Sequence, residues 1–305
     1  MGSSDTFKVH EFLIQKLENQ YGKSNTEKII EGYKSDRFVS FRVNTLKTDN
    51  KTIEKILNDQ KIIYEKISYD NNAYIIKNVR ENEITNLDIY KNGEIYLQSL
   101  SSMLPPILLQ PRKGADILDM AAAPGGKTTQ IAALSNNKSN ITACERSRVR
   151  AERLKYNIEK QGATCVYVMI TDARYINNLF SFDQILLDAP CSGSGTLNIN
   201  DLRSYKNFKK ELIEKSICSQ RALLKKAINI LKPGGELIYS TCSILSCENE
   251  EIVREILFPN KVEIVPIEFD GIETLPLLPS NINGTLCVCP TDYYEGFFIA
   301  KIKKY

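Results

Sequence analysis

The stretch Asp116-Ile117-Leu118-Asp119-Met120-Ala121-Ala122-Ala123-Pro124-Gly125-Gly126-Lys127 decides the fold. Its first five residues read as a buried strand, the paired glycines allow a tight turn, and the segment through Leu134 reads as a helix. Downstream the alternation repeats. Strands are predicted at residues 140–144, ending at Glu145, and at 165–170, ending just before Asp172. Residues 184–187 and 236–240 supply a fourth and a fifth, separated by a long helix near 209–231 that Pro233-Gly234-Gly235 terminates. Strands alternating with helices are the signature of a mostly parallel, doubly wound α/β sheet, here expected over residues 99–305.

Upstream of Pro105-Pro106 and Pro111 the chain reads differently. Short strands at residues 38–44, 62–67, 74–77 and 94–97, with one helix near 51–60, predict a small α+β lobe over residues 37–98. Residues 1–36 form an N-terminal helical segment, and Phe7, Phe12, Leu13 and Leu17 within it predict a surface helix.

Composition narrows the chemistry. A chain of 305 residues with 42% hydrophobic content is long enough for one large domain and a smaller one. Lys and Arg total 40 against 37 Asp and Glu, so the net charge of +3 permits nucleic-acid binding, and a local basic face would have to carry it. No run approaches the roughly 18 apolar residues of a membrane span, and the first residues lack the apolar core of a signal peptide. A cytoplasmic protein without membrane contact is expected.

The only histidine, His10, lies in the N-terminal segment. Its position nearly excludes Ser-His-Asp hydrolases, papain-like enzymes and His-ligated zinc enzymes. Eight cysteines, at 144, 165, 191, 218, 242, 247, 287 and 289, are scattered in a manner that points to reduced thiols rather than a disulfide framework. Cys287 and Cys289 form a lone Cys-x-Cys without a second pair, so core packing is expected there and no metal site.

Two cysteines stand apart. Cys191 closes Asp188-Ala189-Pro190-Cys191 after one apolar run, and Cys242 sits in Thr241-Cys242-Ser243 after another. Both read as strand tips, and ligands collect at the carboxyl ends of strands in open α/β sheets. Two thiols there suggest one shared site, and a thiolate attacks an electron-poor carbon without metal or cofactor.

Gly126-Lys127-Thr128 after a strand invites a phosphate-loop reading, with Asp188 on the acidic strand. The spacing opposes it, because such a loop places its first glycine at position 121, which is alanine. The other reading is a nucleoside site: the glycine turn approaches the ligand, Glu145 accepts from ribose hydroxyls, and Asp172 meets the adenine end. The first loop is then free for an amino-acid tail such as that of S-adenosylmethionine.

With these residues in view, the chain resembles the Nop/Sun family of RNA cytosine-C5 methyltransferases, which use S-adenosylmethionine on a Rossmann-like class I methyltransferase fold. The resemblance rests on Ala122-Ala123-Pro124-Gly125-Gly126-Lys127-Thr128-Thr129-Gln130, Leu187-Asp188-Ala189-Pro190-Cys191-Ser192-Gly193 and Tyr239-Ser240-Thr241-Cys242-Ser243. Supporting stretches are Phe41-Arg42-Val43-Asn44-Thr45-Leu46-Lys47, Gln98-Ser99-Leu100-Ser101-Ser102-Met103 and Glu295-Gly296-Phe297-Phe298-Ile299-Ala300. It implies that Ala121, Ala122, Ala123, Pro124, Gly125, Gly126 and Lys127 hold the methionine part of the cofactor, Glu145 its ribose and Asp172 its adenine, with Arg150 and Asp188 also at the site. It implies further that Cys242 is the nucleophile and that Cys191 helps release the product. Three positions depart from the family pattern: alanine at 121, Glu145 where Asp is common, and Tyr294-Glu295-Gly296 in place of His-Asp-Gly.

Carbon 5 of cytosine is a poor nucleophile, so a Cys242 thiolate adding at carbon 6 would create an enamine-like carbon 5. A protonated or hydrogen-bonding Asp188 would stabilise charge at the ring-nitrogen and amine edge, and an inward Lys127 would lower the thiol pKa. The target must be unpaired or flipped. RNA is the expected partner, ribosomal rather than transfer RNA, with a ribosome-assembly factor on this fold as the non-enzymatic alternative and a monomer as the expected state. Arg37, Arg42, Lys47, Arg203, Lys206, Lys209 and Lys210 are candidates for tracking its backbone.

Overall fold

The computed structural model of the protein describes residues 3–201, 208–257 and 261–305, with side chains from residue 11 onward. In chain order the first part comprises α1 (Ser3–Lys34), β1 (Val39–Val43), α2 (Asn50–Asp59), β2 (Tyr64–Ile67), β3 (Asp70–Ile76), α3 (Glu81–Asn86), α4 (Asp88–Lys91) and β4 (Ile95–Leu97). Its strands pair antiparallel in the order β2-β3-β1-β4. Asp49 caps α2 by accepting from the Thr52 N–H, and Ile53 and Leu57 on its inner face pack with Phe41, Tyr74 and Ile76 of the sheet.

The second part comprises α5 (Leu100–Leu109), β5 (Asp116–Asp119), α6 (Gly126–Leu134), β6 (Asn140–Cys144), α7 (Arg148–Gln161), β7 (Val166–Met169), β8 (Phe182–Asp188), α8 (Lys210–Ile230), β9 (Leu231–Thr241), α9 (Glu250–Leu257), β10 (Val262–Val265), β11 (Leu286–Val288) and β12 (Phe297–Lys304). They form one sheet in the order β10-β12-β9-β8-β5-β6-β7, with β11 added on β12. Strands β5 to β9 run parallel, as a doubly wound sheet requires, and β12 enters antiparallel beside β9. Side chains alternate between faces. Ile117, Leu186, Ile238 and Ile299 join Leu104 and Ile131 of α5 and α6, whereas Leu118, Leu187, Tyr239 and Phe298 join Leu224 and Val253 of α8 and α9. Burial on both faces explains why the parallel strands read as continuous apolar runs.

Three expectations need correction. The N-terminal segment is not a surface helix: Leu13, Leu17, Ile29 and Tyr33 of α1 belong to the core with α8 and β9. Tyr33 donates to the Ser194 carbonyl and Tyr21 to the Ile244 carbonyl, each at 2.6 Å, so α1 braces the loops beyond both β8 and β9. Hydrophobic spacing alone does not say that a second layer covers the apolar stripe. Next, α8 ends at Ile230 ahead of Pro233-Gly234-Gly235, but the strand begins at Leu231 rather than at 236, so these residues lie within β9, where the register against β8 shifts. Finally, Arg42 cannot track an RNA backbone. It is 2% exposed, and it joins the lobe to the glycine turn by donating to Gln98, the Gly126 carbonyl and Thr129. The side chains of Phe7 and His10, and all of Arg203 and Lys206, lie outside the described residues. Among the described residues no helix is long and apolar enough to cross a membrane.

The end of α1 makes a close approach: a Cβ at Gly32 would stand 1.9 Å from the Pro290 carbonyl oxygen. Alanine ordinarily favours a helix interior over glycine by about 1 kcal/mol. Here the clash with backbone should win, and Gly32→Ala is expected to destabilise the protein by ~1–3 kcal/mol, measured as a lowered denaturation midpoint.

Candidate active site

The tips of β5, β8 and β9 converge because these strands are parallel neighbours. Asp188 pairs with Ser240 in register, and the Ala189 N–H donates to the Ser240 carbonyl at 2.8 Å. The chain leaves both strands within a few residues of this pair. As a result the Sγ atoms of Cys191 and Cys242 lie 3.1 Å apart, both half-buried and both free thiols. The contact with Cys242, together with burial and the nearby Glu248 carboxylate, pushes the Cys191 thiol well above the usual range. The two sulfurs are in hydrogen-bond contact, and either thiol can be the donor.

Gly195 keeps the two loops close. Its N–H donates to the Cys242 carbonyl at 3.0 Å and its carbonyl accepts from the Gly296 N–H at 2.8 Å. A Cβ at Gly195 would stand 2.0 Å from the Gly296 carbonyl oxygen.

The glycine turn delivers the next group. Gly125 adopts φ +111°, a region that favours glycine, and a Cβ there would meet Leu154 at 3.0 Å. The turn opens α6 and aims Lys127 inward, where its Nζ lies 2.8 Å from Asp188 Oδ2 and donates to Ser102 Oγ at 2.6 Å. Burial works against the ammonium, yet Asp188, Asp119 and Cys242 together hold the Lys127 pKa above its ordinary value. Ser240 Oγ donates to the other Asp188 oxygen at 2.8 Å.

These groups line a cavity of about 370 Å³ with Ala121, Ala122, Ala123, Pro124 and Gly126. A smaller cavity of about 80 Å³ shares Ala121 and is lined by Glu145, Arg150, Asp172, Arg174, Pro190 and Leu223. Glu145 is buried; it accepts from the Ser147 N–H at 2.9 Å and faces Arg150 at 3.5 Å. Arg150 also donates to the Ala123 carbonyl at 2.7 Å, tying the two cavities together. Asp172 is gripped by the Arg174 guanidinium, which holds its carboxyl below the usual carboxylate range.

Every residue assigned to catalysis or cofactor binding from the sequence thus lines one of the two cavities, except Gly125, which shapes the turn, and Cys191, which backs Cys242. Several cavity residues carried no assignment. Asp119 at the tip of β5 is 1% exposed, and burial raises its pKa to about 6 despite the Thr128 hydroxyl at 2.6 Å. Its signal was its place in the apolar strand before the turn. Tyr96, Gln98 and Ser99 reach the larger cavity from the end of the lobe, and Glu295 and Phe297 from the start of β12. Glu295 accepts from Ser99 Oγ at 2.7 Å, so the position that departs from His-Asp-Gly is part of the cavity wall. Among the described residues no group of three His, Cys, Asp or Glu side chains could hold a metal ion.

Residues 106–303 match the profile of the RsmB/F family, 16S rRNA methyltransferase. The chain belongs to this family. It is 38% identical over 276 residues to ribosomal RNA small subunit methyltransferase F of Shewanella piezotolerans, and 36% identical over 277 residues to the protein of that name from Shewanella loihica. Each alignment takes in 87% of this chain but only 57% and 56% of those relatives, so the chain spans little more than half their length. A methyltransferase homolog protein from Pyrococcus horikoshii superposes with a TM-score of 0.81 at 31% identity, covering 96% of this chain and 98% of that one. NSun6 from the same organism shares the fold, with a TM-score of 0.83 at 24% identity over 96% of this chain and 97% of its own. The RsmB/F family membership and the mostly parallel sheet identify a Rossmann-like methyltransferase fold.

Two outcomes test the site. Because the folded-state pKa of Asp119 is raised, the native protein binds the extra proton between about pH 4 and 6, so this group's contribution falls as pH rises through that window. Asp119→Asn removes it: relative to the variant, the parent should lose up to ~3 kcal/mol between these limits in pH-dependent denaturation. Gly195→Ala forces its methyl group against backbone; a loss of ~2 kcal/mol or more is expected, with altered alkylation of Cys242 as the local readout.

Proposed function

We propose that the protein methylates carbon 5 of cytosine in RNA, with S-adenosylmethionine as methyl donor and ribosomal RNA of the small subunit as substrate. The observation that carries the reading is the pair of thiols 3.1 Å apart beside Lys127 and Asp188 at one cavity. The residues suit the donor. A buried acid, Glu145, and an Arg-held acid, Asp172, flank the smaller cavity, while the glycine turn gives backbone access to the larger one through the shared Ala121. Glu145 would take the ribose hydroxyls, Asp172 beside Arg174 the adenine, and residues 121–127 the amino-acid end. When bound, the cofactor supplies an electrophilic methyl group on a sulfonium.

Cys242 acts as nucleophile. Its thiolate adds to carbon 6 of the base, forming the S–C6 bond while the electron pair of the 5,6 double bond becomes available at carbon 5. Asp188 accepts from the exocyclic amine, and the Lys127 ammonium beside it compensates the negative charge that gathers on the ring. After methylation, loss of the carbon 5 proton to a water molecule in the cavity restores the double bond and expels Cys242 as thiolate. The Cys191 S–H, already in hydrogen-bond contact with that sulfur, stabilises the departing thiolate. A target buried in a duplex stack could not reach these groups, so the cytosine is unpaired or extruded. The lobe, ending in Tyr96 to Ser99 at the cavity, is the surface that would meet the RNA, with exposed Lys47 among its basic groups. We place the activity in the cytoplasm, carried out by a monomer.

Incubation with small-subunit ribosomal RNA and labelled S-adenosylmethionine should give 5-methylcytosine, read by nucleoside mass spectrometry. Cys242→Ala is expected to lose at least ~10³-fold in rate, and full activity in that variant would overturn the nucleophile assignment. Cys191→Ala should still attack but release slowly, leaving a denaturation-resistant protein–RNA adduct that disappears when Cys242→Ala is added. Transfer RNA methylated in place of ribosomal RNA would move the substrate assignment. Asp172→Ala should weaken cofactor binding about tenfold, near 1.4 kcal/mol, by calorimetry.

A further inference from the structure

Behind the thiol pair lies a carboxylate that the chemistry above does not use. Glu248, just before α9, has 0% exposure. Its Oε1 accepts from the Ser192 N–H at 2.7 Å and from Gln220 Nε2 at 3.4 Å, and its Oε2 from Ser192 Oγ at 2.5 Å and Ser243 Oγ at 2.6 Å. The Glu248 carbonyl accepts from Tyr239 OH at 2.7 Å. Ser192 follows Cys191 and Ser243 follows Cys242, so one side chain grips the residue next to each sulfur. Gln220 of α8 extends the grip by donating to the Pro190 carbonyl at 3.0 Å.

We propose that Glu248 is a positioning residue for the methyl transfer proposed above: its buried carboxylate holds the Cys191 and Cys242 loops in register, and its charge opposes ionisation of Cys191, leaving Cys242 as the nucleophile of the pair. Four donors converge on the carboxyl, which matches the acceptor-only inventory of the ionised form. The N–H it accepts belongs to the peptide bond of Cys191 itself, so the negative charge bears on that thiol; contact with Cys242 and burial raise the Cys191 pKa most, and Glu248 adds to them. A buried negative charge beside a thiol opposes formation of a second negative charge, which is the asymmetry a nucleophile and its hydrogen-bonding partner require. The other titratable groups that feel the pair are Lys127, toward Cys242, and Tyr239, toward Cys191; Asp188 and Asp119 face Lys127 in turn. Lys127 lines the same cavity as Cys242, so the thiol pair has a cation on one side and the Glu248 carboxylate on the other.

The pair titrates as a unit, one proton leaving before the other, and Glu248→Gln should change the second step most. Alkylation of Cys191 and Cys242 by iodoacetamide across pH, mapped by peptide mass spectrometry, reads this without RNA or cofactor. In Glu248→Gln the second deprotonation is expected at least about one pH unit lower than in the parent. Methyl transfer at neutral pH should fall ~10–100-fold while S-adenosylmethionine affinity stays within about twofold. An alkylation profile and transfer rate superimposable on the parent would overturn the proposal. Should Glu248→Gln not fold, Ser243→Ala removes one donor and leaves the charge: slower transfer with an unchanged alkylation profile supports the positioning role, and parent-like transfer refutes it. If the parent alkylates as described but methylates no RNA, the methyl-transfer reading fails while the proton asymmetry stands.

Discussion

The register of β8 against β9 is the constraint on which the site depends. Asp188 lies opposite Ser240, and from that rung each chain turns away so that Cys191 and Cys242 come into sulfur contact. A slip of one residue would send every side chain of the strand to the other face, breaking the cores on both sides of the sheet and separating the thiols together. Packing and chemistry are thus set by the same pairing. The loops past the strand ends carry no ladder of their own, and their geometry is held by Gly195 against Gly296, by Tyr33 and Tyr21 of α1, and by Glu248.

Charge is divided along the row of strand tips. At β6 and β7 the acids are answered by arginines, Glu145 by Arg150 and Asp172 by Arg174. At β5 and β8, Asp119 and Asp188 share the one ammonium of Lys127, and Asp119 is raised to about 6 while Thr128 bonds it. One cation against Asp119, Asp188 and the Glu295 of the same wall leaves the larger cavity net acidic, a setting in which a change of charge on a bound ligand would be felt strongly because burial reduces screening by water.

The small lobe is joined to this centre by a buried cation. Arg42 reaches from β1 to the Gly126 carbonyl and Thr129 while lying over the Tyr96 ring at 5.0 Å. Desolvation lowers its pKa to about 10, still far above neutrality, so it remains a charged donor. A polymer held by the lobe would accordingly be held in fixed relation to the glycine turn.

Local pattern was enough for the strand, glycine turn and helix at residues 116–134, for the parallel strands beyond them, and for the two cysteines at strand tips, because short-range periodicity and turn chemistry encode those features directly. It was also enough to place Glu145, Asp172, Lys127 and Asp188 at the ends of strands or turns. Other features exist only through long-range contact. The docking of α1 depends on a partner surface made by α8 and β9, and the apolar stripe of Leu13 and Leu17 reads the same on a free helix as on a covered one. Arg42 looks like a surface cation until the glycine turn closes over it. Asp119, Glu295 and Glu248 are ordinary acids in sequence. They became site residues when strands distant along the chain met, because burial and the convergence of donors, which no local stretch contains, decide what a carboxylate does.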